Sequence, residues 1–280
     1  MTVLDRLLAL IRDTSSSLPE DVEKALRTAL RKEKRGSSAA VVIGTIIENC
    51  ALARREGTPL CQDTGTLTFF VDSRLRRKVT PAMLKKAVAL ATEKGYLRKN
   101  TIDSVTGSSC DDNCAEGAPV VHYVDGEAGS KMCVTLLMKG GGSENMSRQY
   151  SLPDSAVGAG RDMAGVRKCI LDAVQKAQGY GCAPGILGVC IGGDRATGYE
   201  IAKEQLLRPL NEKKTGEATL RRLENQILKE ANSLGIGPMG LGGETTLLGV
   251  KIASRTRLPA SFFVTVAYMC WAARRRTVEF

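Results

Sequence analysis

The stretch "TPLCQDTGTLTFFVD", Thr58 to Asp72, sets a thiol at Cys61, an amide at Gln62 and a carboxylate at Asp63 in a Gly- and Thr-rich bend, just ahead of an apolar alternating run. A thiolate is a soft metal ligand or a nucleophile, and a carboxylate two residues away can accept or deliver a proton. The chain carries nine cysteines and no stretch that reads as a secretory signal, so disulfides are disfavoured and the thiols of interest are ligands or nucleophiles. Cys50 and Cys169 fall within amphipathic helical patterns, and Cys133 and Cys190 within apolar strand patterns, where cysteine serves as a small hydrophobe. Cys61, Cys182 and Cys270 differ, because each lies where an element meets a Gly, Pro or polar loop, the place at which a scaffold presents functional groups. Cys110 and Cys114, in "SSCDDNCAEG", form a rival pair at C-x3-C spacing. A zinc site there needs two more ligands, and the only histidine, His122, sits inside the strand-like "VVHYV". Three thiolates on separate loops suit an iron–sulfur cluster, and three-cysteine ligation leaves one iron open as a Lewis acid.

The elements that must position these residues alternate in type. Helical patterns run through "SLPEDVEKALRTALRKEKRG", "SSAAVVIGTIIENCALARREG" and "TPAMLKKAVALATEKG", the last opened by Thr80 and Pro81 and closed by Gly95. Leu67, Phe69 and Val71 alternate with Thr68 and Phe70 as a strand, and "APVVHYV" and "KMCVTLLM" predict two more, the second leading into "KGGGSEN". Residues 97–117 read as a polar loop. Asp162 caps the helix "MAGVRKCILDAVQKAQG"; then come the strand "CAPGILGVCIGGD", the helices "TGYEIAKEQLLRPL" and "LRRLENQILKEANSLG", and the strands "TTLLGVKIAS" and "SFFVTVAYMC". Interleaved helices and strands predict an α/β fold with mixed sheets and flanking helices. At 280 residues the chain suits one large domain or two smaller lobes.

Five segments taken in order, "CQDTGT", "KGGGSEN", "CAPGILGVCIGG", "LGIGPMGLGGETTLLGV" and "LPASFFVTVAYMCWAARRR", resemble the iron–sulfur hydro-lyases, that is, class I fumarases and L-tartrate dehydratases. The resemblance covers most of the chain, from Cys61 to Arg276. It implies a [4Fe–4S] cluster held on Cys61, Cys182 and Cys270. The family's substrate-touching Gln and Asp correspond to Gln62 and Asp63, with Asp63 the acid that protonates the departing hydroxide. A carboxylate-gripping arginine corresponds to Arg98 in "YLRKN", and the Gly-rich loop Gly140, Gly141 and Gly142 lets backbone approach the bound acid. The implied whole is an α-type catalytic domain over residues 1–280, in two lobes around the cluster site. Its expected reaction is reversible hydration of a small dicarboxylate, fumarate to L-malate first and L-tartrate or a related hydroxy acid second.

Two departures bear on this. Fumarases of the group carry a histidine twelve residues before the third cysteine, where this chain has Leu258 in "RLPAS"; the family's "NTGDNTP"-like segment is here "SSCDDNCAEGAP". The sequence runs ten residues beyond Cys270, whereas single-chain members continue into a C-terminal domain with further arginines, a lysine and a threonine base. The resemblance therefore implies an α subunit that needs a β subunit carrying that domain, in an (αβ)2 assembly.

Composition weighs the rivals. The net charge of +10 is spread among acids, and only 4% of residues are aromatic, so nucleic-acid binding is not expected; a basic surface drawing in a dicarboxylate is. No apolar run nears the roughly 20 residues that span a bilayer, and a cytoplasmic, membrane-free protein is expected. The segment "GVCIGGDRATG" raises a nucleotide-binding oxidoreductase, but its glycines do not fit G-x-G-x-x-G. A basic scaffold or RNA-binding protein whose cysteines are merely buried is the non-enzymatic rival.

Overall fold

A computed structural model describes residues 1–127, 129–212 and 218–280. In chain order the elements are α1 (Val3–Ser16), α2 (Glu20–Lys32), α3 (Ser38–Glu56), β1 (Thr66–Asp72), α4 (Pro81–Glu93), β2 (Thr101–Ile102), β3 (Ser109–Cys110), β4 (Val120–Val124), β5 (Cys133–Lys139), α5 (Gly141–Asn145), β6 (Arg148–Ser151), α6 (Met163–Ala177), β7 (Gly185–Ile191), α7 (Arg195–Gln205), α8 (Ala218–Ser233), β8 (Leu247–Ser254), β9 (Phe263–Met269) and β10 (Arg274–Glu279). They form two compact units, one made of Met1–Pro19, Glu48–Gly141 and Ala272–Phe280, the other of Glu20–Ile47 and Gly142–Trp271.

The first unit is built on a four-stranded mixed sheet in the order β10-β5-β1-β4. β1 runs parallel to β4 and antiparallel to β5, and β10 pairs antiparallel with β5. The alternating run of β1 is buried throughout except at Thr66, because it lies inside the sheet. α1 and α4 cover one face. α1 starts in a capping box, with Thr2 accepting from Asp5 N and Asp5 from Thr2 N, and it packs on α4, β10 and β5. Leu7, Ile11, Phe69, Leu84 and Leu136 are fully buried in this core, where truncating one such leucine to alanine costs about 2–5 kcal/mol.

The second unit holds the sheet β6-β9-β7-β8, with β7 parallel to β8 and antiparallel to β9. Every residue of β7 is buried, because α7 packs on it and neighbouring strands flank it on both sides. α6 follows its N-cap, Asp162, whose carboxylate accepts from Gly165 N at 2.7 Å. Its buried residues Val166, Cys169, Ile170, Ala173, Val174 and Ala177 recur at helical spacing and pack against α8 and β9.

The mixed-sheet α/β expectation is met, and several elements go beyond it, among them the short helix α5 in the stretch read as a Gly-rich loop. α1 ends in Thr14, Ser15 and Ser16, whose hydroxyls bond back to Leu10 O and Arg12 O, so its last turn is helical in spite of a loop-like composition. β10 is the arginine-rich "RRRTVE", held by its pairing with β5. In β6 only Tyr150 is fully buried, which leaves a pattern too weak to read. The polar loop 97–117 also contains the short pair β2–β3.

Candidate active site

In the first unit, the bend before β1 brings Cys61, Gln62 and Asp63 under tight main-chain control. Asp63 N donates to Cys61 Sγ at 3.5 Å, and Cys61 Sγ lies 3.9 Å from Gln62 Oε1. The Asp63 carboxylate accepts three N–H donors: Gly65 N (2.8 Å) and Asn100 Nδ2 (2.6 Å) on Oδ1, and Gly141 N (2.7 Å) on Oδ2. Two glycines make this possible. Gly65 has φ +73°, and a Cβ there would lie 2.5 Å from Lys139 O; a Cβ on Gly140 would lie 2.9 Å from Asp63 Oδ2.

Behind Asp63 stands a polar hub. Thr64 Oγ1 donates to Arg98 O (2.8 Å) and accepts from Arg98 N (3.0 Å), so the main chain at Arg98 is clipped to the residue after Asp63 while its side chain stays exposed. Asn113, 1% exposed and at φ +60°, accepts from Asn100 N (2.8 Å) and Thr101 N (3.1 Å) and donates to Arg98 O (2.9 Å) and Thr92 Oγ1 (3.0 Å). The result is a cavity of about 270 Å3 lined by Asp63, Asn100, Thr101, Asn113, Pro119 and Gly141 among others. Arg274, 1% exposed, reaches the same bend and donates from Nη2 to Asp63 O at 2.8 Å.

In the second unit, Cys182 and Cys270 come together through the main chain. Trp271 N donates to Cys182 O at 3.2 Å, and Cys182 N donates to Gly179 O at 3.0 Å. Cys182 is exposed and takes φ +52°, a left-handed conformation that is uncommon outside glycine and asparagine. Cys270 is buried at the end of β9. Between them the Tyr268 ring fills the space left by Gly181 and Gly185, where added Cβ atoms would lie 2.4 and 2.5 Å from it. Its hydroxyl is buried with no hydrogen-bond partner among the described residues. Burial, then the nearby Cys270 and Cys182, push that hydroxyl's pKa well above the usual tyrosine range.

The fumarate hydratase (Fumerase) family profile matches residues 5–279. The chain belongs to this family. It is 49% identical over 283 residues to a Geobacillus stearothermophilus protein named for class I fumarate hydratase, covering 98% of this chain and 54% of that one. It is 33% identical to a Methanocaldococcus jannaschii protein named for the L(+)-tartrate dehydratase α subunit, covering 98% and 96%. It is 30% identical to the L(+)-tartrate dehydratase α subunit of Escherichia coli (strain UTI89), covering 95% and 86%. The fumarase-family chain thus spans about half the length of its Geobacillus relative and most of the length of the two α subunits.

Within its first unit this family member joins Cys61, Gln62, Asp63, the main chain at Arg98, Gly140 and Gly141; within its second it joins Cys182 and Cys270. Gly142 has open space where a side chain would stand, and Leu258 is 73% exposed in the loop before β9. The rival thiols separate by environment. Cys169 and Cys190 are fully buried, and burial pushes their pKa values up to about 12 and about 11, so they stay protonated. Cys114 donates to Lys85 O, which occupies its thiol. His122 stacks on Phe70 within the sheet. All nine cysteines are among the described residues, and none is in a disulfide.

Among the described residues no three His, Cys, Asp or Glu side chains gather as ligands of a single ion. A cubane cluster spreads its thiolates over different irons and has no need of such a trio. Cys61 in the first unit, and Cys182 and Cys270 in the second, each stand at a loop junction, and thiolates are the soft ligands that such a cluster takes. The orphan Tyr268 hydroxyl near Cys182 and Cys270, and the orphan Arg274 nitrogens near the Cys61 bend, are buried donors suited to sulfur or to negative charge. Asn100, Asn113 and Arg274 were not foreseen from sequence. Asn113 takes a positive φ that its residue type tolerates, but the sequence carries no local signal that marks this asparagine out.

Proposed function

We propose that this chain is the α-type subunit of a [4Fe–4S]-dependent hydro-lyase interconverting fumarate and L-malate. The observation that carries the reading is Asp63, two residues from Cys61, with Oδ1 taken by two N–H donors and Oδ2 by one. Cys61, Cys182 and Cys270 would hold the cluster, which when bound supplies an open iron position, a Lewis acid for the C–OH bond of a hydroxy acid.

The chain's own residues do the rest. Asp63 Oδ2 keeps a lone pair for the proton that leaves with water, and Gly140, lacking a Cβ, keeps the approach to it clear. Arg98 offers an exposed guanidinium on a fixed main chain, suited to one substrate carboxylate, and Gln62 offers an exposed amide beside it. Gly141 and Gly142 permit close backbone approach to the bound acid. The net charge of +10 draws dianions toward the site. A β subunit carrying the domain found in longer relatives would complete the enzyme as (αβ)2, in a cytoplasmic setting where thiols stay reduced. Among the described residues no helix is long and apolar enough to cross a membrane.

The near-complete coverage of two chains named as tartrate dehydratase α subunits supports L-tartrate as the second reading. The test is anaerobic co-expression with the β partner, cluster reconstitution and assay against fumarate, L-malate and L-tartrate. A brown protein active on fumarate is expected, with Asp63→Asn lowering turnover roughly a hundredfold or more. A protein that stays colourless, or an Asp63→Asn variant as fast as wild type, would refute it.

A further inference from the structure

Arg274 is a buried cation with no acid paired to it among the described residues. It opens β10 opposite Met138 of β5 and is 1% exposed. Of its five N–H donors, the side chain places one on the main-chain oxygen of Asp63 (2.8 Å), while Nε and Nη1 are buried without an acceptor among the described residues. The Asp63 carboxylate is not its hydrogen-bond partner: its oxygens accept from Gly65 N, Asn100 Nδ2 and Gly141 N, and of Asp63 the Arg274 side chain meets only the main-chain oxygen. A guanidinium stays charged at any physiological pH, and burying it without a counter-charge costs several kcal/mol. An apolar side chain could fill the same place in β10 without that cost.

The bend that Arg274 grips carries Cys61, whose sulfur already accepts the N–H of Asp63. A thiolate-held iron–sulfur cluster is anionic, and its potential responds to nearby charge without direct contact or solvent access. We propose that Arg274 is a positioning residue that acts in two ways. It fixes the Cys61–Asp63 bend through the Asp63 carbonyl, and its positive charge offsets the negative charge of the thiolate-held cluster. The inference rests on the functional reading above.

The sign of its effect follows from charge alone. Reduction by dithionite adds one electron and one negative charge to the cluster, which a nearby cation favours. Removing the cation therefore makes reduction harder and lowers the midpoint potential.

The test uses the full chain with its partner, purified without oxygen and reconstituted, with potentials read by electron paramagnetic resonance during a dithionite titration. Arg274→Met is expected to lower the reduction equilibrium about tenfold, which is about 59 mV for a one-electron couple, while Arg274→Lys stays within twofold of wild type. Arg274→Gln, neutral but polar, should follow the Met variant and serves in its place if Met disturbs folding by circular dichroism. An unmoved potential in both neutral variants would overturn the proposal. So would an equal fall in the Lys variant, which would mean geometry without charge, or a raised KM for malate at constant potential, which would make Arg274 a substrate contact. If wild type takes up no cluster, the functional reading fails with it; if wild type is loaded and the potentials do not move, only this inference fails.

Discussion

Replacing Asn113 isolates what the hub behind Asp63 contributes. Its Oδ1 accepts the main-chain N–H groups of Asn100 and Thr101 at 2.8 and 3.1 Å, and its Nδ2 donates to Arg98 O and Thr92 Oγ1. Asn113→Ala leaves two part-buried amides without an acceptor at about 1–3 kcal/mol each, and local opening should speed their exchange roughly tenfold to a hundredfold. Hydrogen exchange followed by mass spectrometry over residues 98–104 reads this directly. Two companion variants separate hydrogen bonding from backbone strain at φ +60°. Asn113→Gly relieves the strain but supplies no acceptor, so its amides should exchange as fast as in the alanine variant. Asn113→Asp keeps the acceptor and should stay slower than either. Protection restored by glycine, or exchange within twofold of wild type in the alanine variant, would show that the side chain does not hold the loop. Because Asn100 is one of the two donors to Asp63 Oδ1, the proposed function adds that the fast-exchanging variants should also lose turnover in the reconstituted assay.

Three further outcomes follow from particular contacts. Gly65→Ala should lose at least about 2 kcal/mol by urea unfolding, since it combines a left-handed φ with a Cβ driven onto Lys139 O, while Gly142→Ala, which meets nothing, should stay within about 0.5 kcal/mol. Burial pushes the Asp172 carboxylate up, but Lys176 and the Tyr150 hydroxyl outweigh it and hold the folded pKa below 3.8. Its stabilisation is therefore complete above that value and lost as pH falls through the lower folded one, and Asp172→Asn should flatten the acid limb of a stability-versus-pH curve. In the cluster-free chain near neutral pH, iodoacetamide should label exposed Cys182 first and leave Cys169 and Cys190 unlabelled until unfolding, as peptide mass spectrometry would show.

The long periodic elements were legible in the sequence because their burial follows one rule apiece. α6 shows its apolar stripe and its Asp162 cap, and β7 is an unbroken apolar run because strands flank it on both sides. β10 escaped because pairing with β5 holds a strand whose first two arginines are buried, against every composition rule for an interior strand. The motif residues Cys61, Gln62 and Asp63 could be singled out by type and position. Asn100, Asn113 and Arg274 could not, because nothing in an asparagine or arginine among many distinguishes one whose partner is a particular amide or carbonyl 13 or 211 positions away.

That difference has a physical root. Helices and strands repeat, so their energetics spread over many residues and leave a periodic trace. The bend at Asp63 repeats nothing: Gly65 N, Asn100 Nδ2, Gly141 N and Arg274 Nη2 converge on one residue from four separated points of the chain, each by a single hydrogen bond. Such a junction gains its rigidity from closure, since moving any one donor breaks one of the four contacts that hold the bend in place. It also explains why the packing of the bend itself forbids a side chain at Gly65 and Gly140 but not at Gly142, whose proposed role is toward the bound acid. The first two stand where main chain or carboxylate must pass within a Cβ's reach, and the third does not.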